Sequence, residues 1–322
     1  MKSPLRLIAM IMAVILIGGI NRRIKAVAQA SATNTTATQS CQANATIWSI
    51  ALSPDNQYVL ASWNGGESRL WDIKTGKVVR IWPQNGDEVT SVGFSPDGKS
   101  AFTASRGGVV IWDVGTGDKL KVFNLTADNI DGVDAAFVEN GKQILIVESV
   151  NARLWDIATG NMVHFFQGFV DHEHGESFQI SPDGNYMLLN DYDNVPSKGQ
   201  NLWNIQMGEL IHTFEYPTEE DFAPDGKSLI VSATDDAQKD ELYLFDIATN
   251  KRLKTFPIST GLGAMFISPN GKYFVAARAN DVELWDVARA VQLHTFHFVP
   301  YLSYTGLSLW PLRPVEGFVK QR

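Results

Sequence analysis

Residues 94–123 read FSPDGKSAFTASRGGVVIWDVGTGDKLKVF and contain the clearest copy of a pattern that fills most of the chain. Short apolar runs alternate with tight turns. The turns are an SPDG segment, a Gly-rich break, and a Thr-Gly pair that follows Trp-Asp. Turns this short join only antiparallel neighbours, so the stretch predicts four short strands in one antiparallel sheet.

The same landmarks recur in a constant phase. The first turn reads SPDN, SPDG, VENG, SPDG, APDG and SPNG, starting at Ser53, Ser95, Val138, Ser181, Ala223 and Ser268. The strand that ends in Trp-Asp or its equivalent carries Trp71, Trp112, Trp155, Trp203, Phe245 and Trp285. Successive landmarks are 40 to 48 residues apart. The chain is therefore predicted to hold six copies of one four-stranded unit.

Each copy has turn residues with a clear conformational role and apolar runs between them. Pro sets φ in the first turn, Asp caps the turn backbone, and Gly accepts a positive φ. The intervening runs are rich in Val, Ile, Leu and Phe, as sheets buried on both faces require. Radial stacking of the copies covers every such face. The predicted fold is all-β, a β-propeller of four-stranded antiparallel blades, with six blades favoured and seven as the alternative.

The FSPDG turn, the strand end LWD or IWD and the following Thr-Gly resemble the WD-repeat β-propeller family over about residues 46–296. The resemblance implies a non-catalytic platform that binds other proteins. The chain departs from the family at the Gly-His pair that usually precedes each inner strand. Residues 85–87 of the second copy are Asn-Gly-Asp, and only the fourth copy offers a histidine, His172 or His174. The blades are therefore expected to depend on apolar packing.

The N-terminus has the layout of an export signal. Residues 1–6 are basic, residues 7–20 are apolar or Gly, and Ala28 and Ala30 are small residues of the kind that signal peptidase reads. This predicts a signal peptide at 1–30 and a secreted or periplasmic protein. Basic residues between the apolar run and the cleavage site favour the alternative, a signal anchor that keeps residues 7–20 in the membrane.

The two segments that flank the repeats differ in composition from the repeats. Residues 31–45 are small and polar, which predicts a flexible linker. Residues 297–322 form a C-terminal tail that is too short for a full copy. Together with residues 36–45 the tail offers ring-closing strands for a seventh blade, which would remove free sheet edges. The propeller itself is assigned to residues 46–296.

Composition excludes several functional classes. The net charge of the whole chain is −8, and without its first thirty residues the remainder carries −13. Such a body has no electrostatic reason to bind nucleic acid or an anionic membrane, so membrane contact is expected only through an uncleaved N-terminal segment. The one cysteine, Cys41, permits neither an internal disulfide nor a four-cysteine zinc site.

The histidines give little support for a metal site. Aligned fourth strands place one basic residue of each copy at the same position, which predicts surface residues that face solvent: Arg80, Lys121, His164, His212, Lys254 and His294. His172 and His174 share a strand face, but no third ligand beyond Asp171, Glu173 and Glu176 is apparent nearby. No metal and no cofactor are expected.

The loops between second and third strands emerge on one rim of a propeller, where a rigid scaffold displays variable residues. Blades 4 and 5 carry the longest of these loops, and both loops are acidic. The link into blade 5, residues 216–221, is expected to add carboxylates at the same edge. The candidate partner-binding residues are Trp63, Arg106, Asp191, Tyr192, Asp193, Glu219, Asp221, Asp235, Asp236 and Arg278.

No catalytic motif is present: there is no G-x-S-x-G elbow, phosphate-binding Gly-rich loop or H-E-x-x-H. We therefore expect no enzyme activity and no catalytic residue. The sequence favours a scaffold for protein–protein interaction, outside the cytoplasm or at the membrane, whose partner has a basic surface. The alternatives are a propeller enzyme with a small-molecule site in the central channel, and a carbohydrate or cell-wall binding module.

Overall fold

A computed structural model describes residues 47–63, 66–83, 87–125, 132–148, 151–167, 178–191, 199–215, 217–234, 240–257, 264–278 and 281–297. These residues form 24 strands in six sheets of four. The first three sheets comprise β1 (Ile47–Leu52), β2 (Tyr58–Trp63), β3 (Glu67–Asp72), β4 (Val78–Pro83), β5 (Val89–Phe94), β6 (Ser100–Ser105), β7 (Gly108–Asp113), β8 (Lys119–Asn124), β9 (Asp134–Val138), β10 (Gln143–Val147), β11 (Asn151–Asp156) and β12 (Met162–Gln167). The last three comprise β13 (Gln179–Ile180), β14 (Tyr186–Asp191), β15 (Gly199–Asn204), β16 (Glu209–Glu215), β17 (Pro217–Phe222), β18 (Ser228–Thr234), β19 (Asp240–Asp246), β20 (Lys251–Phe256), β21 (Ala264–Ile267), β22 (Tyr273–Arg278), β23 (Asp281–Asp286) and β24 (Val291–His297).

Every sheet pairs its strands in chain order, and every pair is antiparallel. The prediction of an all-β propeller with six four-stranded blades is confirmed for the described residues. A short 3₁₀ turn, Glu139–Gly141, replaces the first turn of blade 3. That copy reads VENG, and Asn140 takes a left-handed conformation with φ 54° there.

The first strand of each blade lies at the inside of the ring, where neighbouring first strands are joined by hydrogen bonds. The amide of Val92 donates to Ser49 Oγ at 3.2 Å, and Thr90 Oγ1 donates to the carbonyl of Val133 at 2.5 Å. Further around the ring, the Gln179 side chain donates to the Glu220 carbonyl at 3.1 Å. These bonds fix adjacent blades at the centre of the molecule.

The turns use the residues that the sequence assigned to them. In the first blade, Ser53 Oγ donates to Asp55 Oδ1 at 2.6 Å and accepts from the amide of Tyr58 at 2.9 Å. At the other end of that sheet, Asp72 Oδ1 accepts both the amide and the hydroxyl of Thr75 at 2.7 Å. These bonds favour the carboxylate form and hold the pKa of Asp72 below its usual value.

Apolar side chains of adjacent blades interlock, and five such clusters join the six blades in series. Between blades 1 and 2, the rings of Trp82 and Trp112 stack with centroids 5.3 Å apart and planes 11° apart. Trp112 Nε1 also donates to Thr103 Oγ1 at 2.8 Å. Among the described residues, Trp155 Nε1 and Trp203 Nε1 are buried without a hydrogen-bond partner.

The basic position of the fourth strands differs from the sequence expectation. Five of its six residues are half-buried rather than facing solvent, because each turns toward the next blade. Arg80 donates to the carbonyl of Gly115, His164 contacts the Gln206 carbonyl, and Lys254 donates to the Ala288 carbonyl. All three acceptors lie in the turn after the third strand of the following blade. The prediction of solvent-facing residues is therefore wrong at these positions.

Within the described residues, no helix is long and apolar enough to cross a membrane. The predicted signal or anchor segment, the linker and the tail after residue 297 lie outside those residues. His172 and His174 lie outside them as well.

Candidate functional site

The candidate site is the rim on which each second strand turns into the third. The repeated strand order places six such turns on the same side of the ring. In blade 2 the turn consists of only two residues, Arg106 and Gly107, between β6 and β7. Blades 4 and 5 have longer connections there, residues 192–198 and 235–239. The rim is therefore uneven, and its longest loops lie on two adjacent blades.

The strands hold the ends of both long loops. Asp191 ends β14 and pairs with Gly199, and Thr234 ends β18 and pairs with Asp240. Blades 4 and 5 share one apolar cluster that contains Phe214. The bases of the two acidic loops are therefore held by one packed unit. The candidate residues Tyr192, Asp193, Asp235 and Asp236 belong to the loops themselves and lie outside the described residues.

The predicted link into blade 5 is the inner strand β17. Asp221 is buried, with 8 % of its surface exposed, and its Oδ2 accepts the amide of Ile267 at 3.3 Å. Asp221 therefore helps to hold blade 5 to blade 6. The prediction from the sequence, that this carboxylate is displayed at an exposed edge, is wrong. Glu219 lies in the same strand, opposite Ser232. The charged segment enters the sheet because the chain passes from β16 to β17 through a single residue, 216.

Trp63 belongs to a half-exposed group at the end of β2. Its ring lies 6.3 Å from that of Trp71, and the guanidinium of Arg69 lies over it at 4.5 Å. Arg69 also pairs with Glu67 at 2.5 Å. A cation over an indole ring and a neighbouring carboxylate form a rigid, amphipathic surface of the kind that anchors protein interfaces.

The two remaining candidates occupy equivalent ends of their blades. Arg106 is exposed in the blade 2 turn. Arg278 ends β22, where its backbone lies opposite that of Asp281 in the strand register. Beside Arg278's strand, His297 Nδ1 lies 2.9 Å from Asp281 Oδ1. The structure therefore places Trp63, Arg106, Asp191 and Arg278 at one rim, distributed over four blades.

Sequence reasoning missed a buried ion pair below this rim. Glu148 follows β10 with 1 % of its side chain exposed, and its Oε1 accepts from Arg153 at 2.5 Å. Burial raises the pKa of Glu148, although Arg153 opposes the shift. Arg153 occupies the repeat position that Val110 holds in the second copy. The same repeat position holds Arg69, Asn201 and Glu283 in other copies, so its charge did not single out Arg153 in the sequence.

A second missed group lies in blade 5. The Arg252 guanidinium lies over the Tyr243 ring at 4.0 Å and pairs with Glu241 at 2.8 Å. Burial raises the pKa of the Tyr243 hydroxyl. Within the part of the chain that the structure describes, no three His, Cys, Asp or Glu residues come close enough to hold a metal ion.

The aromatic residues bear on the carbohydrate-binding alternative. Trp48 and Trp63 are each half-buried, and Trp48 Nε1 is inaccessible to solvent. Sugar-binding platforms need an open ring face, whereas Arg69 covers one face of Trp63. Neither indole is fully buried, so the carbohydrate-binding alternative stays open at these two positions.

Comparison with known proteins agrees with this architecture. A family model described as the NWD2 C-terminal beta-propeller matches residues 84–262, and a model of the WD domain, G-beta repeat, matches residues 34–72. The WD repeat-containing protein 26 homolog of Arabidopsis thaliana is 22% identical over 76% of this chain and 41% of its own length. Eukaryotic translation initiation factor 3 subunit I of Emericella nidulans is 27% identical over 71% of this chain and 58% of its own length.

The chain spans about half the length of these curated relatives. Among solved structures, Kuenenia stuttgartiensis hydrazine synthase is similar with a TM-score of 0.50 and 17% identity, covering 74% of this chain and 76% of that chain. A likeness at that identity shows the fold alone. The matching models, the repeated turns and the six blades agree: the chain belongs to the WD-repeat β-propeller family.

Proposed function

We propose that this protein is a non-catalytic scaffold that binds a partner protein through the rim loops of blades 4 and 5. The observation that carries the proposal is the position of two long loops on adjacent blades, above one packed apolar cluster. With their end residues Asp191 and Asp240, the two loops carry five carboxylates against two lysines. A rigid base limits the entropy that a loop loses when a partner orders it. The acidic residues favour a partner with a basic surface, which electrostatic attraction would guide to this rim.

The family supports a binding role in general terms, because propellers of this kind commonly act as interaction platforms. One relative is named as a subunit of a translation initiation factor. The half-exposed Trp63–Arg69 group extends the proposed surface to blade 1, where it offers an aromatic anchor. The net charge of −13 after removal of the first thirty residues agrees with a basic partner.

The test is a pull-down with a variant in which residues 192–198 and 235–239 are each replaced by the two-residue Arg-Gly turn of blade 2. A matched control neutralises three exposed acids on the opposite rim, Asp118→Asn, Glu139→Gln and Glu209→Gln. We expect the parent and the control to retain a partner that the loop variant loses. Added salt should weaken the complex, because exposed charges are screened within about 8 Å at physiological ionic strength. Equal retention by all three proteins would move the binding surface away from these loops.

We also propose that the protein acts outside the cytoplasm or at the membrane. The support is the basic, apolar and small-residue order of residues 1–30. Mass determination of the N-terminus after expression in a secreting host separates the two forms. A start near residue 31 supports a secreted or periplasmic protein, and an intact N-terminus in the membrane fraction supports an anchor. An intact N-terminus in the cytosolic fraction would contradict both.

A further inference from the structure

A cavity of about 500 Å³ lies at the boundary between blades 5 and 6 and is called the blade 5–6 cavity below. Its lining includes the first turns of both blades, so it lies at the opposite rim from the long loops of blades 4 and 5. Aliphatic side chains and one acid form much of the lining: Ile230, Leu244, Ile267, Val287 and Asp225. A volume of this size is typical of small-molecule sites.

The cavity exists because three repeat positions carry smaller side chains here than at the preceding boundary. Between blades 4 and 5 these positions hold Tyr186, Phe222 and Ile247, which pack in one cluster. Between blades 5 and 6 they hold Ser228, Ile267 and Val287. Each replacement removes side-chain atoms, and a close-packed interior closes such a gap only in part.

The exposure of Leu244 shows that the gap is open. Leu244 lies opposite Ile230 in the strand register and belongs to the cluster between blades 5 and 6. Leu244 is half-buried, although blade 6 follows blade 5 in the ring. The equivalent residues of blades 1 to 4 are at most 1 % exposed: Leu70, Ile111, Leu154 and Leu202. An apolar surface in the cavity is therefore available to a ligand.

The acid in the lining lacks a partner that its counterparts have. In blades 1, 2 and 4 a serine of the first turn donates to the turn aspartate, as Ser181 Oγ does to Asp183 Oδ1 at 2.6 Å. Blade 5 has Ala223 at the serine position. Among the described residues, the Asp225 carboxylate accepts one hydrogen bond, from the amide of Lys227 at 2.9 Å. The carboxylate can therefore accept a further bond from a ligand.

We propose that the blade 5–6 cavity binds a small organic ammonium ion. The apolar body of the ligand contacts the aliphatic lining, and its nitrogen donates a charge-assisted hydrogen bond to Asp225. Lys227 and Lys272 belong to the same turns, but both are exposed and neither lines the cavity. A bulky ligand suits the site better than a partner's lysine side chain does, because one unbranched stem leaves most of the volume unfilled.

The test is isothermal titration calorimetry of the full chain with three probes that share one bulky aliphatic body: adamantylmethylamine, adamantylmethanol and adamantanecarboxylate. We expect the amine to bind about three- to tenfold more tightly than the alcohol, since the Asp225 side chain is partly screened by water. The carboxylate should bind most weakly because it meets a like charge. A fourth probe, Nα-acetyl-lysine methylamide, should bind more weakly than the adamantyl amine.

Three substitutions separate the contribution of charge from that of space. Asp225→Asn should reduce the affinity of the amine to that of the alcohol and leave the affinity of the alcohol unchanged. Ile267→Phe, which introduces the residue type of Phe222, should abolish binding of all the adamantyl probes. The matched control is Asp97→Asn, because Ser95 already donates to that carboxylate. The control should bind the amine as the parent does.

A folded Ile267→Phe variant is recognised by an unchanged far-ultraviolet circular dichroism spectrum. Should it unfold, Val287→Ile, which introduces the residue type of Ile247, replaces it and should weaken binding of all the adamantyl probes. Equal affinities for the three adamantyl probes would overturn the inference, as would an absence of saturable binding at millimolar concentration. Tighter binding of the lysine derivative would overturn it in favour of a partner's lysine. Shortening the loops of blades 4 and 5 should not change the result, so this test is independent of the proposed scaffold function.

Discussion

His164 Nε2 lies 2.8 Å from the carbonyl oxygen of Gln206 and ties the outermost strand of blade 3 to a turn of blade 4. Blade 1 uses Arg80 and blade 5 uses Lys254 at the same register position for the same purpose. Three different side chains thus serve one geometric role, which is donation of a hydrogen to a carbonyl of the next blade. These bonds join adjacent blades at the outer rim, and contacts between first strands join adjacent blades at the inner rim.

Replacement of this donor should weaken the contact between blades 3 and 4. We expect His164→Ala to lower the free energy of unfolding by about 0.5 to 1.5 kcal/mol, the usual net contribution of one hydrogen bond. Urea unfolding monitored by Trp fluorescence measures the loss. His164→Lys is the control, because blade 5 uses Lys at this position, and it should retain most of the stability. A loss as large as that of the Ala variant would show that hydrogen donation is not the role of the side chain.

The first residue of β7 requires Gly. Gly108 has φ +134°, and an added Cβ would lie 2.1 Å from the carbonyl oxygen of Phe123 in the paired strand. Gly108→Ala should therefore cost more than about 3 kcal/mol, since backbone strain and overlap with a fixed atom add together.

The matched control for this prediction is Gly184→Ala. Gly184 also has a positive φ of +74°, but nothing lies within 4 Å of an added Cβ. Only the cost of the left-handed conformation remains there, about 1 to 2 kcal/mol. Thermal unfolding of the two variants compares the costs, and equal losses would contradict the steric account.

The buried pair below the rim should be sensitive to removal of one partner. Arg153→Met leaves the Glu148 carboxylate buried without its cation, and we expect a loss of about 3 to 5 kcal/mol. The double variant Glu148→Gln with Arg153→Met removes the charge as well and should recover part of that loss. Chemical denaturation of both proteins measures the difference.

The pH dependence of the Arg153→Met variant gives an independent check. Burial already raises the pKa of Glu148, and loss of Arg153 should raise it further. A carboxyl with a raised pKa binds its proton more readily in the folded state than in the unfolded state. Its contribution to the free energy of unfolding therefore becomes more favourable to the folded state as pH falls. The Arg153→Met variant should therefore lose less stability near pH 4 than at pH 7. An equal loss at both values would contradict the buried charge.

His212 should make the protein sensitive to mild acid. Burial between Phe214 and Phe245 lowers the pKa of its imidazole, and Asn250 opposes the shift. The unfolded chain therefore takes up a proton first as pH falls below about 6.5, and the folded state loses stability until pH passes the lower folded pKa. His212→Gln should reduce the loss of melting temperature between pH 7 and pH 5. An unchanged slope would show that His212 does not contribute to it.

Turn chemistry made much of the architecture predictable. Ser53 and Asp55 bond within five residues of each other, as do Asp72 and Thr75, so the chain itself specifies each turn locally. The register that follows from these turns places Arg80 and His164 at one repeat position. What the alignment could not show was the direction of the side chains, because the acceptor carbonyls belong to the next blade.

The candidate rim was likewise predictable from the sequence only in part. Its location follows from turn lengths, and the ends of the long loops at Asp191 and Thr234 lie where the repeat indicated. The prediction of an exposed Asp221 is wrong because an acidic run near Pro217 resembles an exposed link. The short connection from β16 instead places Asp221 in the strand β17. The fate of a charged residue near a strand boundary depends on contacts made across blades.

The sequence by itself determined the all-β class, the number of repeated blades and the strand order within each blade. Local turns and apolar runs repeat about every 42 residues, and each sheet is built from neighbours in the chain. Only the tertiary structure decided which polar groups are buried and which apolar faces are open. Burial of Asp221 and Glu148, and exposure of Phe296, depend on whether another blade packs against them. Such packing joins residues that lie a whole repeat apart, so it becomes visible only when the blades stand side by side.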